Sequence, residues 1–93
     1  MYDRVLRRMR DKIRTREYVL TAHAEEEMAN DDLTIYDVER GTLTGRVTER
    51  QKDAEHREWK YCLQGQTVDG DDVAIVAKLG PTGKLVIITV YIP

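Results

Sequence analysis

The chain has 93 residues and a mass of 10.8 kDa, which suffices for one domain and excludes a second. Charged residues make up 34% of the chain and hydrophobic residues 41%, a balance that indicates a folded globular protein rather than a disordered or fibrous one. We therefore predict a single domain over residues 1–93.

Cys62 is the only cysteine, which excludes an internal disulfide and a cysteine-based zinc site. Charged residues interrupt the N-terminal segment every few positions, so it does not fit a signal peptide, and no stretch approaches the roughly 20 apolar residues of a membrane span. P-loop, dinucleotide and G-x-S-x-G motifs are missing, so nothing supports ATP, NAD or serine-hydrolase chemistry. We expect a cytoplasmic protein with no cofactor and no membrane partner.

The net charge of −2 conceals an uneven distribution. Residues 1–16 hold seven Arg or Lys against two Asp, whereas residues 17–40 hold eight acidic side chains against one arginine. A basic first segment on an acidic body could meet RNA, the ribosome or an acidic partner, with Arg7, Arg10 and Arg14 as candidate nucleic-acid ligands. The pattern favours a simpler interpretation: a basic helix lying against an acidic one in the same molecule, or a solvated face.

The first forty-five residues predict two or three helices. One apolar stripe at helical spacing predicts an amphipathic first helix, formed by Tyr2, Val5, Leu6, Met9 and Ile13. Residues 18–20 are a short apolar link that fits a brief strand. Thr21 is the expected N-cap of a second helix through about Asn30, with Ala24 and Met28 facing inward.

The third predicted helix is shorter. Thr34 and Asp37 approximate a capping box, and Ile35 and Val38 are predicted to face the core. Two glycines are expected to limit the end of this helix, Gly41 and Gly45.

After residue 45 the hydrophobic pattern changes to the alternation of strands. Four strands are predicted: 46–51, a second around inward-facing Trp59, Tyr61 and Leu63, a third at 73–79 and a fourth at 85–92, with tight turns at 68–71 and 80–83. The fourth is apolar on both faces and is predicted to be the central strand. The expected fold is α+β, with the helices packed on one face of an antiparallel β-meander.

The ordered set of Thr21, His23, Ala24 and Met28, then Leu33-Thr34 and Asp37-Val38, then Gly45, Tyr61, Gly65 and residues 88–91, resembles the bacterial domain-of-unknown-function family 4258 over about residues 17–92. The resemblance implies a fold similar to RelE/ParE-type toxins and a cognate antitoxin-like partner. The chain departs from the family pattern where Glu27 replaces an arginine and Asp31-Asp32 replaces Arg-Gly. These reversed charges weaken a nuclease interpretation, because phosphate contacts depend on positive charge.

A metal-independent ribonuclease needs a base, an acid and cations for the phosphate. His23 is the candidate for proton transfer, because histidine titrates nearest neutrality. The alternative is a buried histidine that bonds a backbone carbonyl and locks its helix onto the sheet. The remaining candidates lie on or beside the first two strands: Glu49, Arg57 and Tyr61 for catalysis, and Arg50 and Lys60 for phosphate. Their alternative interpretation is ordinary cross-strand charge pairing, with Tyr61 in the core.

A metal site is not expected, because His23 with Glu26 and Glu27 lacks the second histidine of a zinc-hydrolase motif. Cys62 alternates opposite to Tyr61 and is interpreted as a small packed residue rather than a nucleophile. His56 is predicted to be solvated in a polar loop.

Two functional hypotheses follow. The first is a toxin-like domain of a toxin–antitoxin type pair, a metal-independent ribonuclease or translation inhibitor that acts on RNA or the ribosome. The second is a non-catalytic module on the same fold that binds a partner protein through a sheet edge or a helix groove. A homodimer through the last strand or the first helix is compatible with either.

Overall fold

The computed structural model describes residues 1–53, 55 and 58–93. Three helices are found in this part of the chain: α1 (Asp3–Arg14), α2 (Ala22–Asn30) and α3 (Ile35–Thr44). The strands of the described residues are β1 (Tyr18–Leu20), β2 (Arg46–Asp53), β3 (Glu58–Gln66), β4 (Asp72–Leu79) and β5 (Leu85–Tyr91). The α+β prediction is therefore confirmed. His56 and Arg57 lie outside the described residues.

The five strands form one sheet in the order β1-β5-β4-β3-β2. Strands β2 to β5 make the predicted antiparallel meander, and β1 pairs in parallel with β5 at the edge. The prediction that the last strand is central is therefore wrong, since β4 lies in the middle and β5 lies one place from the edge. The apolar sequence of β5 indicates an interior strand, and it is interior only because β1 covers its outer side.

The N-terminal elements follow their local sequence signals. Met9 and Ile13 of the α1 stripe are buried, as predicted. The Thr21 hydroxyl accepts a hydrogen bond from the backbone N–H of Ala24 at 3.1 Å, which confirms the predicted N-cap of α2. None of the helices in the described part of the chain has the length and apolar character that crossing a bilayer requires.

Helix α3 has the predicted capping box and buries Val38 completely. Two details of its prediction are wrong. Ile35 is 42% exposed, so it does not face the core, whereas Val38 in the same turn does. Gly41 does not end the helix, which continues to Thr44 with Gly45 as its C-cap.

The glycines at positions 41 and 65 let α3 lie close against the sheet. A Cβ atom built on Gly41 would lie 2.8 Å from Cγ1 of Val73 and 2.9 Å from Cδ1 of Ile75, both on β4. A Cβ atom built on Gly65 would lie 2.0 Å from the carbonyl oxygen of Gly41, so the two backbones touch without any side chain between them. Tertiary packing of α3 on the sheet thus outweighs the low helix propensity of glycine.

The two faces of the sheet differ. All three helices contribute side chains to one hydrophobic core on what we call the helix face, which includes Leu63, Ile75 and Ile87. The opposite side, the open face, carries the residues that alternate with these. Apart from Thr89, the residues of this face on β1, β4 and β5 and at the middle of β3 are mostly apolar, namely Val19, Cys62, Val76, Val86 and Tyr91. These side chains are half-buried or exposed.

A β-bulge in β2 decides which of its side chains reach the helix face. Val47 pairs with Leu63, but the next pair is Glu49 with Cys62, so Thr48 is an extra residue. Strict alternation from Val47 would put Glu49 on the helix face. The bulge instead places Arg50 there, opposite Tyr61, and places Glu49 on the open face.

Candidate functional site

A cleft of about 450 Å³ lies where the start of α1 meets β2, β3 and the end of β4. We call it the aromatic cleft, because three rings line it together with three arginines: Tyr2, Trp59 and Tyr61, and Arg4, Arg8 and Arg50. Its volume is within the range of small-ligand sites, roughly 300 to 1,000 Å³. The cleft therefore combines flat apolar surfaces with fixed positive charge.

The rings and cations of the aromatic cleft are in contact. Tyr2 and Tyr61 meet edge to face, with centroids 6.2 Å apart. The Arg50 guanidinium lies 3.9 Å from the centroid of the Trp59 ring and 6.0 Å from that of Tyr2. The Lys52 ammonium lies 5.2 Å from the Trp59 ring. Cation–π stacking thus holds two cations over Trp59.

Trp59 lies on the predicted face of β3 but is not in the core. The predicted inward face is confirmed, but the residue is 38% exposed and so is not buried with Leu63. Residue 59 is at the start of β3, where Arg50 and Lys52 rather than a helix lie over the ring. A tryptophan half covered by cations is available for contact with a ligand.

Arg4 and Arg8 are the cleft residues that sequence reasoning missed. They are one helical turn apart on α1, and both are exposed. Their spacing of four residues places them side by side next to the apolar stripe of α1. The stripe alone did not indicate which side of the helix would lie near the sheet. The two arginines add to Arg50 as cations at the cleft.

The three helix arginines named from the sequence do not line the cleft. Arg7 is exposed, and Arg14 pairs with Asp11 on the same helix at 3.1 Å. Arg10 donates from Nη2 to the carbonyl oxygen of Gly45 at 2.8 Å and so ties α1 to the end of α3.

Glu58 is the one carboxylate residue among the described residues that line the cleft. Its Oε2 lies 2.9 Å from Nζ of Lys78. This ion pair balances the negative charge of Glu58, so the arginines give the cleft a net positive charge.

The structure divides the predicted catalytic and phosphate-binding set between the two faces. Arg50 and Tyr61 are direct cross-strand partners on the helix face and both line the cleft. Glu49 and Lys60 belong to the open face, where Glu49 accepts a hydrogen bond from the Gln51 amide. The prediction for Arg57 lies outside the described residues. The described residues of this set therefore form no single site.

His23 lies in another part of the molecule. Its side chain is 63% exposed, and Nε2 is 3.1 Å from Oε1 of Glu27. The alternative of a buried histidine bonded to a backbone carbonyl is therefore wrong. Helix α2 packs against β5, and β4 separates β5 from the strand that carries Tyr61.

Cys62 points to the open face, opposite to Tyr61, as the alternation predicts. Burial raises the pKa of its thiol, and the nearby Glu49 carboxylate raises it further, because both disfavour the thiolate. A raised pKa opposes the role of a nucleophile. Within the described residues, no group of three or more His, Cys, Asp or Glu side chains is placed to hold a metal ion.

Comparison with known protein families gives one match. The family model described as Domain of unknown function (DUF4258) matches residues 20–92, most of the chain. The chain belongs to this family. No curated protein and no solved structure matches the DUF4258 chain.

The polar residues that carry the DUF4258 resemblance mostly hold the fold together. Thr21, besides capping α2, donates from its hydroxyl to the carbonyl oxygen of Ile88 at 3.0 Å. Asp37 accepts from the backbone N–H of Thr34 at 2.9 Å and from that of Val68 at 3.0 Å, which joins α3 to the β3–β4 turn. The exposed His23 is the exception, because its ion pair with Glu27 lies within α2 and does not anchor it to the sheet directly.

The two departures from the family pattern also have a structural role in this DUF4258 domain. Glu27 accepts a hydrogen bond from the backbone N–H of Val90 at 3.2 Å, and Asp31 accepts one from that of Ile92 at 3.1 Å. These carboxylates connect α2 to the end of β5. An arginine at either place could only donate, so it could not make these bonds.

Proposed function

We propose that this DUF4258 domain binds single-stranded RNA in the aromatic cleft and acts as a toxin-like member of a bacterial toxin–antitoxin type pair, on RNA or on the ribosome in the cytoplasm. The observation that carries the proposal is the convergence of three aromatic rings and three arginines on one cleft. Unpaired bases stack on aromatic side chains, and phosphates bind guanidinium groups. The similarity to the RelE/ParE-type toxin fold belongs to the same proposal.

The size and shape of the cleft favour a single strand over a duplex. Duplex bases are stacked on each other and present no free faces to a ring, whereas a splayed base can reach Trp59 or Tyr2. A volume of about 450 Å³ admits one or two nucleotides. Arg4 and Arg8, on the helix beside the rings, are placed to meet the phosphates on either side.

The placement of His23 favours binding over cleavage. Transfer of a proton to or from RNA requires a titrating group within about 3 Å of the reacting oxygen. None of the described residues that line the cleft is a histidine, and His23 lies on α2 beside β5. Inhibition of translation by occupying RNA or its ribosomal site therefore fits the geometry better than a metal-independent ribonuclease.

Intrinsic fluorescence tests the binding proposal directly, because Trp59 is the only tryptophan and lies in the cleft. A single-stranded RNA of about eight nucleotides should change Trp59 emission, whereas the same sequence as a duplex should not. Tyr2→Ala should weaken binding roughly 5- to 150-fold, the range of one lost stacking contact. Tyr36→Ala is the matched control, since Tyr36 is 62% exposed and lies outside the cleft. Unchanged emission, or equal effects of both variants, would contradict the proposal.

Inducible expression in a bacterium that lacks the partner tests the toxin part. We expect growth arrest with intact total RNA, and the same arrest from His23→Ala at matched soluble protein levels. RNA fragmentation that disappears in His23→Ala would replace the binding mechanism with a ribonuclease that uses His23. Normal growth with the wild-type chain would refute the toxin proposal and leave RNA binding to be judged by fluorescence.

The second candidate is a non-catalytic module that binds a partner protein. Exposed apolar side chains on α3 favour it, namely Ile35, Tyr36 and Leu43, none of which lines the cleft. A tagged chain purified from its own host should retain such a partner in the wild type and in Tyr2→Ala, and lose it in a Tyr36→Ala/Leu43→Ala variant. Equal retention by all three proteins would oppose this candidate.

A further inference from the structure

The open face of the sheet is apolar at its centre although no described element covers it. Strands β3, β4 and β5 and the β1 edge contribute apolar side chains there, and these residues are half-buried or exposed. In a two-layer α+β domain the uncovered face of the sheet is normally polar. In this domain, however, strand β5 is apolar on both faces, with Ile87 in the core and Val86 on the open face. An apolar sheet centre with a polar rim marks an interaction surface.

We propose that the open face binds the open face of a second copy of this chain, forming a homodimer of two sheets packed face to face. Each sheet would supply the covering layer that the other lacks, as the inner faces of a β-sandwich do. The cleft residues Arg50, Trp59 and Tyr61 are on the helix face, so the dimer would leave them accessible. Glu58 lies at the boundary between the cleft and the open face.

The charges of the open face fit a second copy better than a partner of one sign. One end of the face carries Lys60 and the Lys78–Glu58 ion pair, and the other end carries Arg46 and Asp72. Each end thus offers both a cation and a carboxylate. A two-fold interface requires such self-complementarity, because the same patch must meet itself.

The size of the face fits a reversible dimer. Four strands of about six residues and the three-residue β1, spaced about 4.8 Å apart at about 3.3 Å per residue, give roughly 430 Å² for each copy. Two copies then bury roughly 900 Å², the range of weak, transient interfaces. Dimerisation should therefore depend on concentration, with a dissociation constant on the order of 100 µM.

Analytical ultracentrifugation of the full chain tests this assembly. From about 5 to about 500 µM, the weight-average mass should rise from 10.8 kDa toward twice that value. Val76→Lys, at the centre of the open face, should shift the transition to concentrations at least about tenfold higher, because lysine would be desolvated there. Val68→Lys is the matched control, since Val68 is 61% exposed in the β3–β4 turn, and it should leave the transition unchanged.

Thiol labelling gives a second measurement on the wild-type chain, in case Val76→Lys does not fold. Cys62 lies on the open face and is the only cysteine. Its rate of modification by a maleimide at fixed pH should fall as the protein concentration rises through the dimer transition. A monomer at every concentration, a dimer that Val76→Lys and Val68→Lys affect equally, or a labelling rate independent of concentration would each overturn the proposal.

Discussion

Removal of the two cleft arginines on α1 should reduce the salt dependence of RNA binding. Arg4 and Arg8 are exposed and line the cleft with Arg50, so up to three phosphates can be neutralised there. For a single strand, each neutralised phosphate contributes about −0.7 to the slope of log K against log salt. The wild-type slope should be about −2.1, and that of Arg4→Ala/Arg8→Ala about −0.7.

These slopes translate into a measurable difference. Between 50 and 200 mM salt the wild-type affinity should fall about 18-fold, and that of the double variant only about 2.6-fold. Titration of single-stranded RNA at four salt concentrations, followed by Trp59 emission, gives both slopes.

Arg7→Ala/Arg14→Ala is the matched control, because it removes the same charge from the same helix outside the cleft. Its slope should stay near −2.1. Equal reductions in the two double variants would refute the reasoning, since they would assign the salt dependence to the net charge of α1 rather than to the cleft.

Three further predictions concern the fold. Gly65→Ala should destabilise the domain by about 3 kcal/mol or more in urea unfolding, because its Cβ would lie 2.0 Å from the backbone oxygen of Gly41. Wild-type stability of this variant would contradict the packing argument. Asp37→Ala should cost about 2 to 3 kcal/mol in the same assay, since it removes the capping box and leaves the N–H of Val68 unpaired; a loss below 0.5 kcal/mol, on the order of a surface substitution, would oppose this role. Burial and the 2.7 Å hydrogen bond to Glu39 raise the pKa of Tyr18 from 10.0 to about 12, so the neutral phenol stabilises the fold and this stability is lost as the pH rises from 10.0 toward 12. In a titration followed by phenolate absorbance, Tyr18→Phe should remove the component that titrates near pH 12. An unchanged titration curve would refute the assignment.

Local signals in the sequence were sufficient for most elements of the fold. The spacing of Met9 and Ile13 fixes the buried side of α1, and Thr21 and Thr34 mark the starts of α2 and α3. Each of these signals involves residues no more than a few positions apart. An N-cap or an apolar side of a helix depends only on residues of that helix, so it can be predicted without knowing the rest of the fold.

Features that depend on contacts between distant residues could not be predicted in the same way. The parallel pairing of β1 with β5 joins residues such as Val19 and Val86, and a three-residue strand has too little alternation to indicate its partner. The intrinsic propensity of Gly41 argues against a helix interior, and only its close packing against Val73 and Ile75 of β4 explains it. The alternation of β3 predicted that Trp59 lies on the helix face. It did not indicate that the helices cover only the later part of β3, which leaves Trp59 partly exposed.

The candidate site shows the same division. Tyr61 and Arg50 were predicted from neighbouring strands, and the structure makes them direct partners. Glu49 was placed with them because a bulge leaves little trace in a charged edge strand. Thr48 is the extra residue, and one inserted residue exchanges the faces of all that follow.

The charged residues of this chain differ in whether they bond to the backbone, and two of the acidic residues that depart from the family pattern do so. Glu27 accepts from a backbone N–H of β5 and Asp31 from the N–H of Ile92 just after it, so their negative charge is used within the fold. Arg4, Arg8 and Arg50 have no comparable bond to the backbone among the hydrogen bonds of the described residues, and all three line the cleft. Exposed arginines held beside three rings are poorly explained by folding, since exposed charges contribute little to stability. Their position is instead what contact with a flexible anion requires, which is why the cleft rather than the His23 region carries the proposed function.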